Sequence, residues 1–275
     1  MESVLRVRAM RSMGQAGLKR MANRLMQLQN KTSMQTLGVI LARSGSSGLP
    51  RKHLLLMLGR PVIDYTFQHV RQSRRLTHVV VSSDCPRIRR LATQAGFDTI
   101  DRPPELATSD ASVQDVLLHA LDIEEARLGT TFNAIVTLYG NVPVRPNALI
   151  DDAIGTLYTT NCDSVRSFAP VGKFHPAWMS KIDEQTRVIA LHAGSIHRRQ
   201  DLDELFHHDG GVVVSSRQAL EHSRVNRSDP HAFFGTDRRG VVVGLGEVVE
   251  VDTRRDLMIA EAALRDLFLR EAVAA

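Results

Sequence analysis

The stretch ARSGSSGLPRKHL, residues 42–54, sets the cations Arg43, Arg51 and Lys52 around four small residues, Gly45, Ser46, Ser47 and Gly48. Small residues let backbone N–H groups come close to phosphate oxygens, and nearby cations neutralise the charge so held. The apolar run Leu37-Gly38-Val39-Ile40-Leu41 precedes it, so the stretch reads as a flexible loop leaving a buried strand. In an open parallel sheet the loop after the first strand is the usual phosphate site. The spacing is neither GxxxxGK(S/T) nor GxGxxG, which argues against a P-loop NTPase and a dinucleotide fold. Composition alone leaves a plain strand-to-helix connector as the alternative.

A loop of this kind needs a sheet to hold it. Strand-like TLGVILA (36–42) leads to the helical pattern PVIDYTFQHVRQS (61–73), and HVVVSSD (78–84) leads to a helix from Arg87 to Ala95. FDTID (97–101) precedes a helix from Ser112 to Arg127, NAIVTLYG (133–140) precedes one near Asn147 to Thr160, and DSVRSFAP (163–170) follows. Strands separated by helices of this length imply βαβ crossovers, so the expected class is α/β with a doubly wound, mostly parallel sheet covered on both faces. Between about 170 and 210 the rhythm gives way to an irregular polar stretch rich in His and Arg. GGVVVSS (210–216) and GVVVGLGEVVEVD (240–252) then resume strand-like runs. A closing helix from Thr253 to about Glu271 is expected, with Leu257, Ala260, Leu264, Leu267 and Phe268 on one face and Thr253 as N-cap. Residues 36–275 therefore read as one domain with an inserted lobe at about 170–210.

At 275 residues and 43% apolar content the chain can bury a sizeable core. Cys85 and Cys162 are too few for a disulfide framework and lack CxxC spacing, which fits a reducing cytoplasm and argues against a structural zinc site. The net charge of +5 is unevenly placed: residues 1–35 hold seven cations against Glu2, a surplus of six, which leaves the remainder at −1. A basic extension on a balanced body is not the spread patch of a nucleic-acid binder. The extension also holds six of the nine methionines and no apolar run long enough for a signal peptide or a membrane span. It is expected to be disordered or loosely helical, with an upstream start ahead of a functional Met34 as an alternative, and no membrane partner is expected.

VILARSGSSGLPRKHLLLMLGRPVIDYTFQ (39–68) resembles the opening of the acylneuraminate cytidylyltransferases, the CMP-sialic acid synthetase family. VVVSSD (79–84), RPPELATSDAS (102–112), VPVRP (142–146), CDSVRSFAPV (162–171), RRQDL (198–202) and EVDTRRDL (250–257) resemble later blocks of that family in the same order. The resemblance implies a Rossmann-like nucleotidyltransferase that moves CMP from CTP to the anomeric hydroxyl of a nonulosonate sugar acid and releases pyrophosphate. It implies a cytoplasmic homodimer and Mg²⁺ as cofactor. Arg43 and Lys52 match the family's catalytic triphosphate contacts, with Gly45, Ser46, Ser47, Gly48, Arg102 and Tyr139 at the nucleotide. Glu250 and Asp252 match its metal-binding acids, and alternate residues of a strand share one face, as joint ligation requires. Capping of the following helix is the plainer role for Asp252. Arg199, Gln200 and Asp209 fall at positions that face the sugar acid.

Departures from the family pattern cluster where ligands belong. Ser47 stands where a Lys is common, His53 replaces an Asn, Val113 replaces a base-contacting Ser and Tyr139 replaces a Gln. Asp209 replaces an Asn and Val213 a Tyr near the sugar. An aromatic ring stacks on a base but does not copy an amide's paired hydrogen bonds. A nucleotidyltransferase with an altered base or acceptor, and a nucleotide-binding protein that has lost turnover, are the alternatives.

Overall fold

The computed structural model describes residues 34–45, 48–192 and 198–274, and the expectations for residues 1–33, Ser46 and Ser47 lie outside them. One compact unit spans Thr36–Ala275. Six of its strands run through the expected alternation: β1 (Thr36–Leu41), β4 (His78–Ser83), β5 (Asp98–Asp101), β6 (Ala134–Tyr139), β7 (Ser164–Pro170) and β10 (Phe206–Ser216). With β11 (Arg238–Val242) they form a seven-stranded sheet in the order β11-β7-β10-β6-β1-β4-β5. All neighbours are parallel except β10, which runs antiparallel to both β6 and β7. The short strands β2 (Leu56–Met57) and β3 (Arg60–Pro61) form a hairpin, as do β8 (Ser180–Ile182) and β9 (Val188–Ala190).

Two helical layers cover the sheet. Alternation along each strand sends Ile40, Val81, Val136, Val165 and Val214 to one face, beneath α1 (Val62–Gln72), α2 (Pro86–Gln94) and α4 (Leu149–Thr160). Val39, Val80, Ile135 and Val213 face α3 (Val113–Leu128) and α5 (Arg217–His222). A third apolar cluster joins Met57, Tyr65, Val144, Val249 and Val251 to α6 (Arg254–Ala274). The Ser112 hydroxyl caps α3 by accepting from the Asp115 N–H at 3.2 Å, and Gly129 ends that helix at φ +62°.

Three expectations need correction. The run GVVVGLGEVVEVD is not one strand, because β11 ends at Val242 and Gly246 turns the chain at φ +81°. Beyond the turn only Val249 bridges to Val144, and Val249 and Val251 go into the α6 cluster rather than onto the sheet. On α6, Ala260 and Leu264 are buried as expected, but Leu267 and Phe268 are 42% and 44% exposed. Between 170 and 210 the chain is more regular than its composition suggests: it builds the β8–β9 hairpin and the first residues of β10.

Candidate active site

The loop after β1 is pinned at both ends. The Ser44 N–H donates to Asp84 Oδ1 at 2.7 Å and its hydroxyl donates to Asp84 Oδ2, tying the loop to the end of β4. At the other end Arg51 takes a left-handed conformation (φ 54°) that starts a 3₁₀ turn over Lys52–Leu54. The turn drives His53 inward, where Gly140 leaves just enough room: a Cβ there would lie 3.1 Å from the imidazole. His53 is 4% exposed and bonds to the Arg43 backbone. Burial, with Lys52 next in weight, pushes its pKa down to about 3, so the ring is neutral at physiological pH.

From the far side of the cleft the chain between Val249 and α6 brings two acids. Lys52 Nζ donates to Asp252 Oδ1 at 2.5 Å. The Asn141 amide nitrogen, just beyond β6, donates to Glu250 Oε1 at 3.1 Å, to the Val251 carbonyl at 3.1 Å and to Asp252 Oδ1 at 3.3 Å. Thr253 and Asp256 cap α6 reciprocally: the Thr253 hydroxyl accepts from the Asp256 N–H at 3.3 Å, as expected of the N-cap, while Asp256 Oδ2 accepts from the Thr253 N–H at 2.8 Å and the Asp252 N–H at 3.1 Å. The Asp252 carboxylate is therefore free of capping and faces the cleft. Burial, and after it the neighbouring Asp252 charge, holds the Glu250 carboxyl above its ordinary range. Gly48 closes the contact between the two loops: a Cβ there would meet the Asp252 carbonyl oxygen at 2.6 Å.

A cavity of about 270 Å³ opens between them, bounded by Arg43, Lys52, Arg102, Val113, Tyr139 and Glu250 among others. It lies beyond the carboxyl ends of β1, β4 and β6, where an open α/β sheet binds ligands. Arg102 is fixed there by bonds from Nε to the Ser82 hydroxyl (3.0 Å) and from Nη2 to the Ser82 carbonyl (2.7 Å). Burial pulls its pKa down to about 10, which leaves it a cation at neutral pH. A larger cavity of about 500 Å³ between α1 and α6 is lined by charges of both signs in equal number, Arg145 and Arg270 with Glu247 and Asp266, rather than by a cluster of cations. His78, Asp98 and Glu124 approach one another at a spacing a metal would accept. Arg127 fills that position, 2.7 Å from Asp98 and 2.6 Å from Glu124.

The structure thus brings Arg43, Lys52, Arg102, Tyr139 and Glu250 to one cavity, with Gly48 and Asp252 against its edge. Gly45 is exposed with open space around it. Arg199 and Gln200 sit in the 3₁₀ turn Arg199–Asp201, and Gln200 is exposed and does not line the cavity. Asp209 turns into the sheet, where its Oδ1 accepts from the Ser167 hydroxyl at 2.5 Å and the Gly211 N–H at 2.9 Å. There it shapes the irregularity of β10 between His208 and Val213.

A family model described as cytidylyltransferase matches residues 37–229. The chain belongs to the cytidylyltransferase family. It is 28% identical over 229 residues to an N-acylneuraminate cytidylyltransferase of Streptococcus agalactiae, a match that covers 82% of this chain and 52% of that protein. The chain therefore spans about half the length of that relative. It is 26% identical over 237 residues to a CMP-N,N'-diacetyllegionaminic acid synthase of Legionella pneumophila, covering 83% of this chain and 95% of the relative. Among solved structures its fold is similar to CMP:2-keto-3-deoxy-manno-octonic acid synthetase complexed with CTP. That match has TM-score 0.64 and 18% identity and covers 84% of this chain and 99% of the other.

Within this family fold the chain shows two site features that the sequence reading did not pick out. Asn141 reads as an ordinary turn residue in YGNVP, yet it is the bridge between Glu250 and Asp252. Arg145 is 3% exposed; its Nε donates to the Gly211 carbonyl at 2.6 Å and its Nη1 meets His69 Nδ1 at 3.2 Å. Burial lowers its pKa to about 9, while Asp209 and Glu250 act to keep it charged, so it sets a fixed cation behind the acids. No helix among the described residues is long and apolar enough to cross a membrane.

Proposed function

We propose that the protein transfers CMP from CTP to the anomeric hydroxyl of a nonulosonate-like sugar acid and releases pyrophosphate. The observation that carries this reading is the convergence of Arg43, Lys52 and Arg102 with the acid pair Glu250 and Asp252 around one cavity edge. In such a reaction the acceptor hydroxyl loses its proton and forms a bond to the α-phosphorus, and the bond to the pyrophosphate oxygen breaks. The protein's task is to hold the triphosphate, spread its charge and aim the hydroxyl. Arg43 and Lys52 would neutralise the β and γ phosphates, and Arg102, held rigidly by Ser82, would fix the nucleotide's position.

Glu250 and Asp252 fit Mg²⁺. Both are hard oxygen donors, they share one amide nitrogen, and each raises the cost of the other's charge, which a divalent cation offsets. Bound there, Mg²⁺ would supply charge stabilisation at the phosphate. A second reading, with a different base or acceptor, is favoured by Tyr139 and Val113 at the cavity wall. We infer a homodimer, supported by the exposed apolar pair Ile182 and Val188, which lie opposite each other across the β8–β9 hairpin. The two free thiols, Cys85 and Cys162, fit a cytoplasmic setting.

The deciding experiment is a pyrophosphate-release assay with CTP, UTP, ATP and GTP crossed against a panel of 2-keto-3-deoxy sugar acids, with and without Mg²⁺. CTP with a nine-carbon acid should prevail, and Lys52→Ala and Asp252→Asn should each lower kcat/KM by about 10²–10³, the usual effect of removing one transition-state contact. Another nucleotide prevailing would favour the second reading. Turnover unaffected by both substitutions would remove the site assignment.

A further inference from the structure

The sheet face that carries Tyr139 continues across β10 to β7, and there it holds a cation with no counter-ion among the described residues. The pairing register places Thr137, Val213 and Arg166 in one row across three strands. Arg166 therefore rises on the α3 side of the sheet, two strands and about 10 Å from β6. Its guanidinium lies 5.1 Å from the ring centre of Phe168 and 4.5 Å from that of Phe234. Stacking of this kind fixes the plane of the group and leaves its N–H edges available to a ligand. Among the described residues the Arg166 side chain makes no hydrogen bond and no ion pair. Arg238 also lies against Phe234, at 5.7 Å, with its Nε donating to the Gly235 carbonyl. Two cations thus share one ring without a carboxylate between them, and burial together with Arg238 lowers the pKa of Arg166. Positive potential left uncompensated in this way suits an arriving anion.

Strand order decides which anion that is. Arg43 and Lys52 follow β1, Arg102 follows β5, and Asn141, which holds the acid pair, follows β6; Arg166 is on β7, beyond β10. A triphosphate held by the first three has its reacting end toward Glu250 and Asp252, so the group that approaches from the β7 side is the acceptor. The Tyr139 side chain, on the same face as Arg166, is within electrostatic reach of both Glu250 and Arg166. Val213 separates β6 from β7 on this face with a short, buried side chain. In the ring form of a 2-keto sugar acid the carboxylate and the anomeric hydroxyl are attached to the same carbon. Whatever grips the carboxylate therefore aims the hydroxyl. We propose that Arg166, held between Phe168 and Phe234, binds the acceptor's carboxylate and orients its hydroxyl toward the nucleotide. This assignment rests on the reading of the acceptor as a sugar acid, and it gives the carboxylate to Arg166 rather than to Arg199.

The test uses the full chain with CTP and Mg²⁺, N-acetylneuraminic acid and the other acids of the acceptor panel, and the C1 methyl ester of each. Arg166→Gln should raise KM for the acid about ten- to hundredfold, the loss of a charge-assisted hydrogen bond, with the KM for CTP and the melting temperature unchanged. Arg166→Lys should recover part of the loss, and the methyl ester should lose little between wild type and Arg166→Gln. An acid KM unmoved by Arg166→Gln, equal losses for acid and ester, or the loss appearing in Arg199→Gln instead would overturn the assignment. If wild type turns over no acid, the cytidylyltransferase reading fails separately, and saturation-transfer NMR with the same acids decides the inference. Binding that is lost in Arg166→Gln supports it, and binding that persists, or is absent from wild type, overturns it.

Discussion

His69 shows how a single buried side chain makes the stability of this protein depend on pH. Its Nδ1 faces Arg145 Nη1 at 3.2 Å, so only the neutral ring can accept that hydrogen bond. Burial, followed by the Arg145 charge, pushes its pKa down to about 3, and His53 is driven to about 3 by burial and Lys52. Between that value and the ordinary 6.5 the unfolded chain binds these protons and the folded chain does not. Stability from these two rings is thus fully present above 6.5 and is lost as pH falls, by about 1.4 kcal/mol per pH unit for each fully differing histidine. Glu250 acts in the opposite sense, since its raised carboxyl takes up a proton earlier in the fold than in the unfolded chain. That contribution is common to wild type and a His69 variant. His69→Gln keeps an acceptor for Arg145 and removes the titration. Its urea midpoint, followed from pH 7 to 4.5, should fall less steeply than that of wild type. Parallel curves would show that His69 titrates in the fold as it does in the unfolded chain.

At the scale of elements, the site depends on how closely the loop after β1 approaches the chain before α6, and Gly48 sets that distance. A methyl group at residue 48 would sit 2.6 Å from the Asp252 carbonyl oxygen, a backbone atom that cannot rotate away. Gly48→Ala should push the loop outward by about 1 Å and reduce kcat/KM by about 10²-fold through misplacement of Lys52. Gly45→Ala, which meets nothing within 4 Å, should stay near wild type in the same assay. Loss from both substitutions would point to loop entropy rather than to the Asp252 contact. The elements themselves were largely legible in the sequence. TLGVILA, HVVVSSD and NAIVTLYG are apolar runs with one buried role each, and they appear as β1, β4 and β6 within a residue or two. The β8–β9 hairpin was hidden because Ile182, Val188 and Ile189 are all exposed and flanked by charge, so no buried face imposes a period of two. The end of β11 was hidden for the converse reason: Val249 and Val251 are apolar for α6, not for the sheet. At the site, Arg43 and Lys52 stood out in the basic loop after β1, and Glu250 and Asp252 through their match to a family block, whereas Asn141 and Arg166 did not. What matters about those two is a bridge across 109 residues and a register across three strands, neither of which is a local pattern.

At the scale of the whole molecule, the two halves of the proposed site come from opposite ends of the folded unit, with Lys52 and Asp252 separated by 200 positions in sequence. A ligand that engages both should therefore stabilise the entire unit rather than one loop, because closing that span requires β1, β6 and α6 to be in place together. Binding to the native state alone adds about 2.7 kcal/mol at a hundredfold excess over Kd. For a domain of this size that corresponds to a rise in Tm of roughly 5–10 °C. The charges predict how the effect divides between ligand and metal. CTP alone brings its phosphates near Glu250 and Asp252 and meets their repulsion, and Mg²⁺ alone must compete with Lys52 for Asp252. Each alone should therefore shift Tm by a small fraction of what the two achieve together. Differential scanning fluorimetry on the full chain, on a chain beginning at Met34 and on Asp252→Asn would read this directly. The first two should show the same joint shift, since every described residue bounding the cavity lies within Thr36–Ala275. Asp252→Asn should retain a shift with CTP that no longer grows on adding Mg²⁺. A joint shift equal to the sum of the separate ones would mean that nucleotide and metal bind at unconnected places, and the site as drawn between Lys52 and Asp252 would have to be given up.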